Sequence, residues 1–135
     1  MSDGNIEIFR RLVEDGGRRD TQRLLAYVSP NVEWHPALPQ SLGGDATVYR
    51  GHQGIRQLMS ELDQALGSSR FEIPDIRSLG DRVLGLGRVH IVGRISGVQT
   101  ESPFAFLVEF EDGSPTCVRS YLDHERALEA AGLSE

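Results

Sequence analysis

Hydrophobic residues recur along this chain with two different periods, and the change of period divides it. In NIEIFRRLVEDGG, Ile6, Phe9, Leu12 and Val13 share one helical face, and Gly16-Gly17 are expected to end the helix. DTQRLLAYVSP reads as a second helix, with Asp20 or Thr21 as N-cap and Pro30 just beyond its end. NVEWHP reads as a short strand stopped by Pro36. The Pro- and Gly-rich stretch PALPQSLGGDATV is expected to be a long loop of the kind used for lids and binding loops, leading into a second short strand at YRG. In GHQGIRQLMSELDQALGSS, Ile55, Leu58, Met59, Leu62 and Leu66 return every three or four residues, and Gly67 suits the C′ position of that third helix.

After the third helix the period becomes two. Phe71, Ile73 and Ile76 outline a strand that Pro74 bends or confines to an edge. DRVLGLGRVHIVGRISG is a longer strand with a hairpin turn at Ser96-Gly97. Phe104, Phe106, Val108 and Phe110 then alternate with Ala105, Leu107 and Glu109. After a turn at Glu111-Asp112-Gly113-Ser114, Val118, Ser120 and Leu122 alternate with Arg119, Tyr121 and Asp123. DHERALEAAG makes a last short helix, capped by Asp123 and stopped by Gly132. Segregated helices and strands indicate an α+β fold. We expect one domain over residues 1–135: a cone-shaped, strongly curved antiparallel (mixed) sheet wrapped by three N-terminal helices, a half-barrel with a cavity between its layers.

Parity assigns side chains to the two sheet faces. If Ile95 pairs with Val98, Val89 lies opposite Phe104 and Gly87 opposite Phe106. If Val108 and Val118 share the inner face, Phe106 sits beside Ser120 and Phe104 beside Leu122, giving an inner row Gly87, Phe106, Ser120. Gly85 and Gly87 on that face either permit sheet curvature or leave space for a ligand. The outer face collects Arg88, His90, Arg94, Glu101, Glu109, Arg119, Tyr121 and Asp123, with His90, Pro103 and Asp123 in one row. Such a charged face reads as a solvated or subunit-packing surface.

Composition removes several functional classes. A net charge of −6 argues against nucleic acid as a partner. All 14 basic residues are Arg, so no lysine is present for Schiff-base chemistry. The lone Cys117 has no internal disulfide partner and fits a reducing cytoplasm; its place in a strand reads as packing. MSDGNIEIFRR lacks a signal-peptide core, and no apolar run reaches membrane-spanning length, so a soluble protein without a membrane partner is expected. The histidines at 35, 52, 90 and 124 lack metal-ligand spacing, and no phosphate loop or G-x-S-x-G elbow occurs; neither metal nor cofactor is expected.

NVEWHP, YRGHQGIRQLM and EDGSPTCVRSYLDHERAL resemble the SnoaL-like domains, small polyketide cyclase-type proteins of the nuclear transport factor 2-like, ketosteroid isomerase-like superfamily. The resemblance spans nearly the whole chain. It implies the half-open cone, a homodimer packed through the open sheet face, and a small-molecule site, while the superfamily spans many activities and non-catalytic binders. The isomerases' base position falls on Trp34 when anchored on Val32, or on His35 when anchored on Pro36. Their tyrosine falls near Arg11-Leu12 and their buried acid at Phe106. The cyclases' aspartate falls at Ser120. None of these positions holds the family's residue.

His35 is then the best remaining general acid or base, since an unperturbed imidazole titrates at about 6.5. It is expected at the mouth of the cavity; the alternative is a strand-end histidine with a hydrogen bond. Trp34 is a platform for a flat ligand or a core residue with a pocket-facing edge. Tyr49 donates a hydrogen bond into the cavity or keeps its hydroxyl in water. Phe104, Phe106, Ser120 and Leu122 complete the expected lining. His52 and His124 precede or open helices and read as capping or exposed. Two functions follow. One is a cofactor-independent isomerase, cyclase or hydrolase acting on a small apolar or polycyclic metabolite. The other is a non-catalytic ligand-binding or accessory dimerisation module.

Overall fold

The computed structural model describes residues 2–37 and 48–133. The elements run α1 (Ser2–Arg18), α2 (Thr21–Leu25), β1 (Glu33–His35), β2 (Tyr49–Arg50), α3 (Gly51–Ala65), β3 (Leu66–Leu79), β4 (Arg82–Gly93), β5 (Gln99–Glu111), β6 (Ser114–Tyr121) and α4 (His124–Ala130). The strands form one open sheet in the order β2-β1-β6-β5-β4-β3. Only β1 and β6 are parallel, so the sheet is mixed. This is the expected α+β cone. Most of the expected loop, residues 38–47, lies outside the described residues.

Helices α1 to α3 press their apolar faces onto one side of the sheet. Phe9 and Leu12 from α1, Leu24 from α2, and Ile55 and Leu58 from α3 are fully buried there. They meet the inner-face residues Val83, Val89, Phe104, Phe106, Val108 and Val118. Asp20 caps α2 by accepting from the Arg23 amide at 3.2 Å, and Asp123 caps α4 by accepting from the Glu125 amide at 2.8 Å. The β5–β6 turn places Asp112 and Gly113 at φ of 52° and 81°, the two left-handed residues of a tight hairpin.

Several local expectations are corrected. Gly16-Gly17 do not end α1, which continues to Arg18. They lie where sheet and helix approach: a Cβ on Gly17 would stand 3.3 Å from the Phe71 ring, and one on Gly16 would touch Trp34. Arg19, at φ 55°, breaks the helix instead. Gly67 follows the C-cap Leu66 and so takes the expected C′ position, but without the positive φ of a left-handed cap, because the chain passes at Leu66 straight into β3. The β4–β5 register is offset by two from expectation: Gly85 opposes Phe106, Gly87 opposes Phe104, and Val89 opposes Ser102. The turn is longer than a two-residue hairpin, with Ile95 fully exposed within it and pairing starting at Val92–Gln99. An even offset preserves facing, so inner residues stay inner. The row through Pro103 contains Arg88, and His90 opposes Glu101. Phe106–Ser120 and Val108–Val118 pair as expected.

The outer face also departs from a purely charged surface. Leu84, Leu86, Ala105 and Leu107 form a second apolar cluster there, covered by Ala127 and Ala131 at the C-terminal end of the chain. Along the strands, Arg82 and Glu109 lie beyond one end of this cluster and Arg88, His90 and Glu101 beyond the other, while Arg119 stands beside Leu107.

Candidate functional site

Each inner-face position follows from strand alternation. Trp34 on β1 pairs with Tyr49 on β2 and Val118 on β6, and all three point toward the helices. Next to them Ser120, Phe106 and Phe104 continue the face across β6 and β5. Phe71 enters from β3 and closes the row, its ring centroid 4.8 Å from Phe104 and 5.0 Å from Phe106. Phe104 and Phe106 lie 4.9 Å apart, edge to face, an arrangement favoured by the ring quadrupoles.

The aromatic rings fill most of the expected hollow. What remains is a cleft of about 30 Å³, walled by Trp34, Phe71, Phe104 and Phe106 and by the helical side chains Leu58, Met59 and Leu62. That volume suits a water molecule and falls far short of the roughly 300 Å³ or more of ordinary ligand pockets. The two inner glycines do not open it. A Cβ on Gly85 would stand 2.5 Å from Phe9 Cζ, and one on Gly87 only 1.8 Å from the Glu72 carbonyl oxygen. Their missing side chains make room for α1 and for the irregular stretch of β3 between Glu72 and Asp75.

Trp34, Phe104, Phe106 and Ser120 therefore converge on one cleft, and three other expected residues do not. Tyr49 is buried beside Trp34, but its hydroxyl donates to the Glu61 carboxylate on α3. That bond, with burial, pushes its pKa up to about 12 and holds Glu61 below the usual carboxylate range. Leu122 lies past the end of β6 and lines a different groove. His35 follows Trp34 by one residue, so its imidazole projects from the opposite, outer face.

On that face His35 stands in an open groove of about 570 Å³, bounded by Pro36, Arg119, Tyr121, Asp123 and Arg126. The imidazole is about one-quarter exposed, with Nε2 3.4 Å from Glu33 Oε1. Arg50 Nη1 donates to the second oxygen of Glu33 at 2.7 Å. His35 and Arg50 together hold the Glu33 carboxyl below its ordinary value. Cys117 lies opposite Glu33 on β6, and burial raises its thiol pKa while the neighbouring Arg119 opposes that rise. The other histidines are structural. His52 Nε2 lies 3.1 Å from the Val28 carbonyl oxygen, and His124 Nε2 lies 2.8 Å from that of Gly87. His90 sits between Glu72 and Glu101.

Sequence reasoning did not place Phe71, Met59 and Leu62 in the cleft, although the apolar face of α3 had to pack somewhere on the inner sheet. It also passed over Glu33 and Cys117. The alternation Glu33-Trp34-His35 was the available signal, since it puts the acid and the imidazole together and the indole apart.

With this geometry, the SnoaL-like domain family matches residues 9–116. The chain belongs to the SnoaL-like domain family. No curated protein matches it. Among solved structures, it is similar to an NTF2-like protein of unknown function from Burkholderia pseudomallei. The TM-score is 0.77 at 21% identity, over 93% of this chain and 95% of that one. It is similar to TerC, co-crystallised with polyporic acid, with a TM-score of 0.76 at 25% identity over 96% and 98% of the two chains. A protein with a ketosteroid isomerase-like fold from Catenulispora acidiphila, in complex with trimethylamine, gives 0.74 at 14% identity over 94% and 93%. In this SnoaL-like domain Ser120 supplies the one side-chain hydroxyl among the described residues of the cleft wall.

Proposed function

We propose that this SnoaL-like domain binds a small, flat, apolar molecule in its inner cleft and transfers no proton there. One observation carries the reading: the described wall of the cleft is aromatic and aliphatic, with a single hydroxyl and no titratable side chain. General acid–base catalysis needs such a group within hydrogen-bond reach of the reacting atom. The candidate expected from the sequence, His35, faces the other side of the sheet. Trp34, Phe104, Phe106 and Ser120 form the binding set. A ligand enters by displacing the buried Met59 and the half-buried Leu62 of α3, the first an unbranched side chain with freedom to re-pack. Similarity to TerC, crystallised with polyporic acid, supports the ligand class. Exposed Arg and Glu on the outer face support a homodimer, and the free thiol of Cys117 supports a reducing, cytoplasmic setting.

Trp34 is the only tryptophan and it lines the cleft, so its fluorescence reports occupancy. Polyporic acid is expected to quench it saturably in the native protein, and Ser120→Phe, which fills the cleft, is expected to abolish the saturable component. Unsaturable quenching, or saturable quenching that survives Ser120→Phe, defeats the proposal. His35→Ala is expected to leave the quenching unchanged. Loss of binding in that variant would instead move the site to the outer groove and restore a catalytic reading for the imidazole.

A further inference from the structure

We propose that Glu33, His35 and Cys117 form a zinc site on the outer face of the sheet, with its fourth coordination position open to the groove beside Arg119. The three side chains meet through strand geometry. Glu33 and His35 are two apart on β1 and share a face, and Cys117 is the parallel partner of Glu33 on β6. One donor atom from each lies within 4.8 Å of the other two, and His35 Nε2 and Glu33 Oε1 are 3.4 Å apart. Tetrahedral zinc holds such atoms at about 2.0–2.3 Å, hence roughly 3.3–3.8 Å from one another. Side-chain adjustments of about an ångström close the set around an ion.

The donor chemistry selects the metal. A thiolate, an imidazole and a carboxylate suit zinc rather than calcium or magnesium, which take oxygen donors. Two anionic ligands and a neutral imidazole balance the dication, and the thiol proton leaves to solvent on binding. The surroundings already orient the ligands. Arg50 holds one oxygen of Glu33 and leaves the other turned toward His35, as an outer-shell partner does. Three protein ligands with an open fourth position is the arrangement of zinc sites that bind water or substrate. His35 lines the outer groove, so that position faces a space where a small anion or water can enter. The site is separate from the inner cleft and independent of the ligand proposed there.

Metal-stripped full-length protein titrated with Co²⁺ tests this directly. One equivalent is expected to produce the thiolate-to-cobalt charge-transfer absorption and the intense visible bands of a tetrahedral ion, both abolished by Zn²⁺ in competition. Cys117→Ser is expected to lose the charge-transfer band. Because Cys117 is buried and its variant is open to a folding defect, His35→Ala, at a position about one-quarter exposed, provides the second arm. It is expected to weaken Zn²⁺ binding by more than about 100-fold, and Arg50→Ala by about 10–100-fold. Absence of the charge-transfer band from native protein at one equivalent overturns the proposal, as does undiminished zinc affinity in His35→Ala.

Discussion

The two faces of this sheet are made by the same strands and do opposite things. On β5, Phe104, Phe106 and Val108 point inward to a core closed by three helices, while Ala105, Leu107 and Glu109 point outward. On β1, Trp34 lines the inner cleft, and its neighbours Glu33 and His35 stand in an ion-pair network on the outside. The inner face has oily walls and almost no free volume. The outer face has titratable groups and an open groove but little apolar enclosure. Among the described residues, binding by shape and chemistry by charge are thus sorted onto different sides, and neither side alone combines an enclosed pocket with an acid–base group.

The sharpest way to break this contrast is to compare two consecutive residues of β4. Gly87 faces inward against backbone: a methyl there would sit 1.8 Å from the Glu72 carbonyl oxygen, with no flexible side chain to yield. Gly87→Ala is expected to destabilise the protein by about 3 kcal/mol, at the upper end of overpacking effects. Arg88 faces outward and pairs with Glu101, and both side chains are about half exposed. As a control, Arg88→Ala should cost no more than about 1 kcal/mol, the usual limit for an exposed ion pair. Urea unfolding of the two variants measures both. Equal losses would mean that the outer face is as tightly packed as the inner one.

A middle-sized effect tests the apolar island of the outer face. Helix α4 covers Leu84, Leu86, Ala105 and Leu107, and its first turn is held by the Asp123 carboxylate on the Glu125 amide. Asp123→Ala is expected to cost about 1 kcal/mol in the same unfolding assay, and Asp123→Asn to recover most of it. A loss in Asp123→Ala indistinguishable from zero would mean that the helix is fixed by packing alone.

Much of this arrangement was legible in the chain. Period-two alternation from Phe104 to Leu122 gave both strands, their turn and the pairing of Phe106 with Ser120. It did so because a half-buried strand must alternate. Glycine was the poorest guide. Gly16-Gly17 and Gly67 both look like helix stops, but only Gly67 follows a helix end, while α1 runs on through Gly17, which is needed for close approach to Phe71. Close approach and chain termination leave the same residue in a sequence. The β4–β5 register was missed because Ile95, an apolar residue at a hairpin tip, is fully exposed rather than paired. The volume of the cleft was not legible at all. It depends on how Phe9, Phe71, Phe104 and Phe106 interlock, and ring packing between distant segments leaves no periodic trace.

The smallest expected effect concerns an inner-face side chain that joins the core to a solvent-exposed carboxylate. Tyr49 packs its ring in the core and donates its hydroxyl to the exposed Glu61 carboxylate, and its pKa rises from 10.0 to about 12. The folded state therefore favours the neutral phenol more strongly than the unfolded chain does. Its contribution is complete below pH 10, declines as the unfolded chain ionises, and is gone once pH passes about 12. Glu61 behaves in the opposite sense: its lowered pKa adds stability that is present above about 4.5 and lost as pH falls. Tyr49→Phe is expected to flatten both limbs of the stability–pH profile while leaving the mid-pH fold intact. Tyr27 and Tyr121 are also raised, so absorbance titration must be read as the difference between native protein and variant. Identical alkaline and acid limbs in the two proteins would show that the hydroxyl–carboxylate bond contributes nothing, leaving Tyr49 as another apolar ring of the inner face.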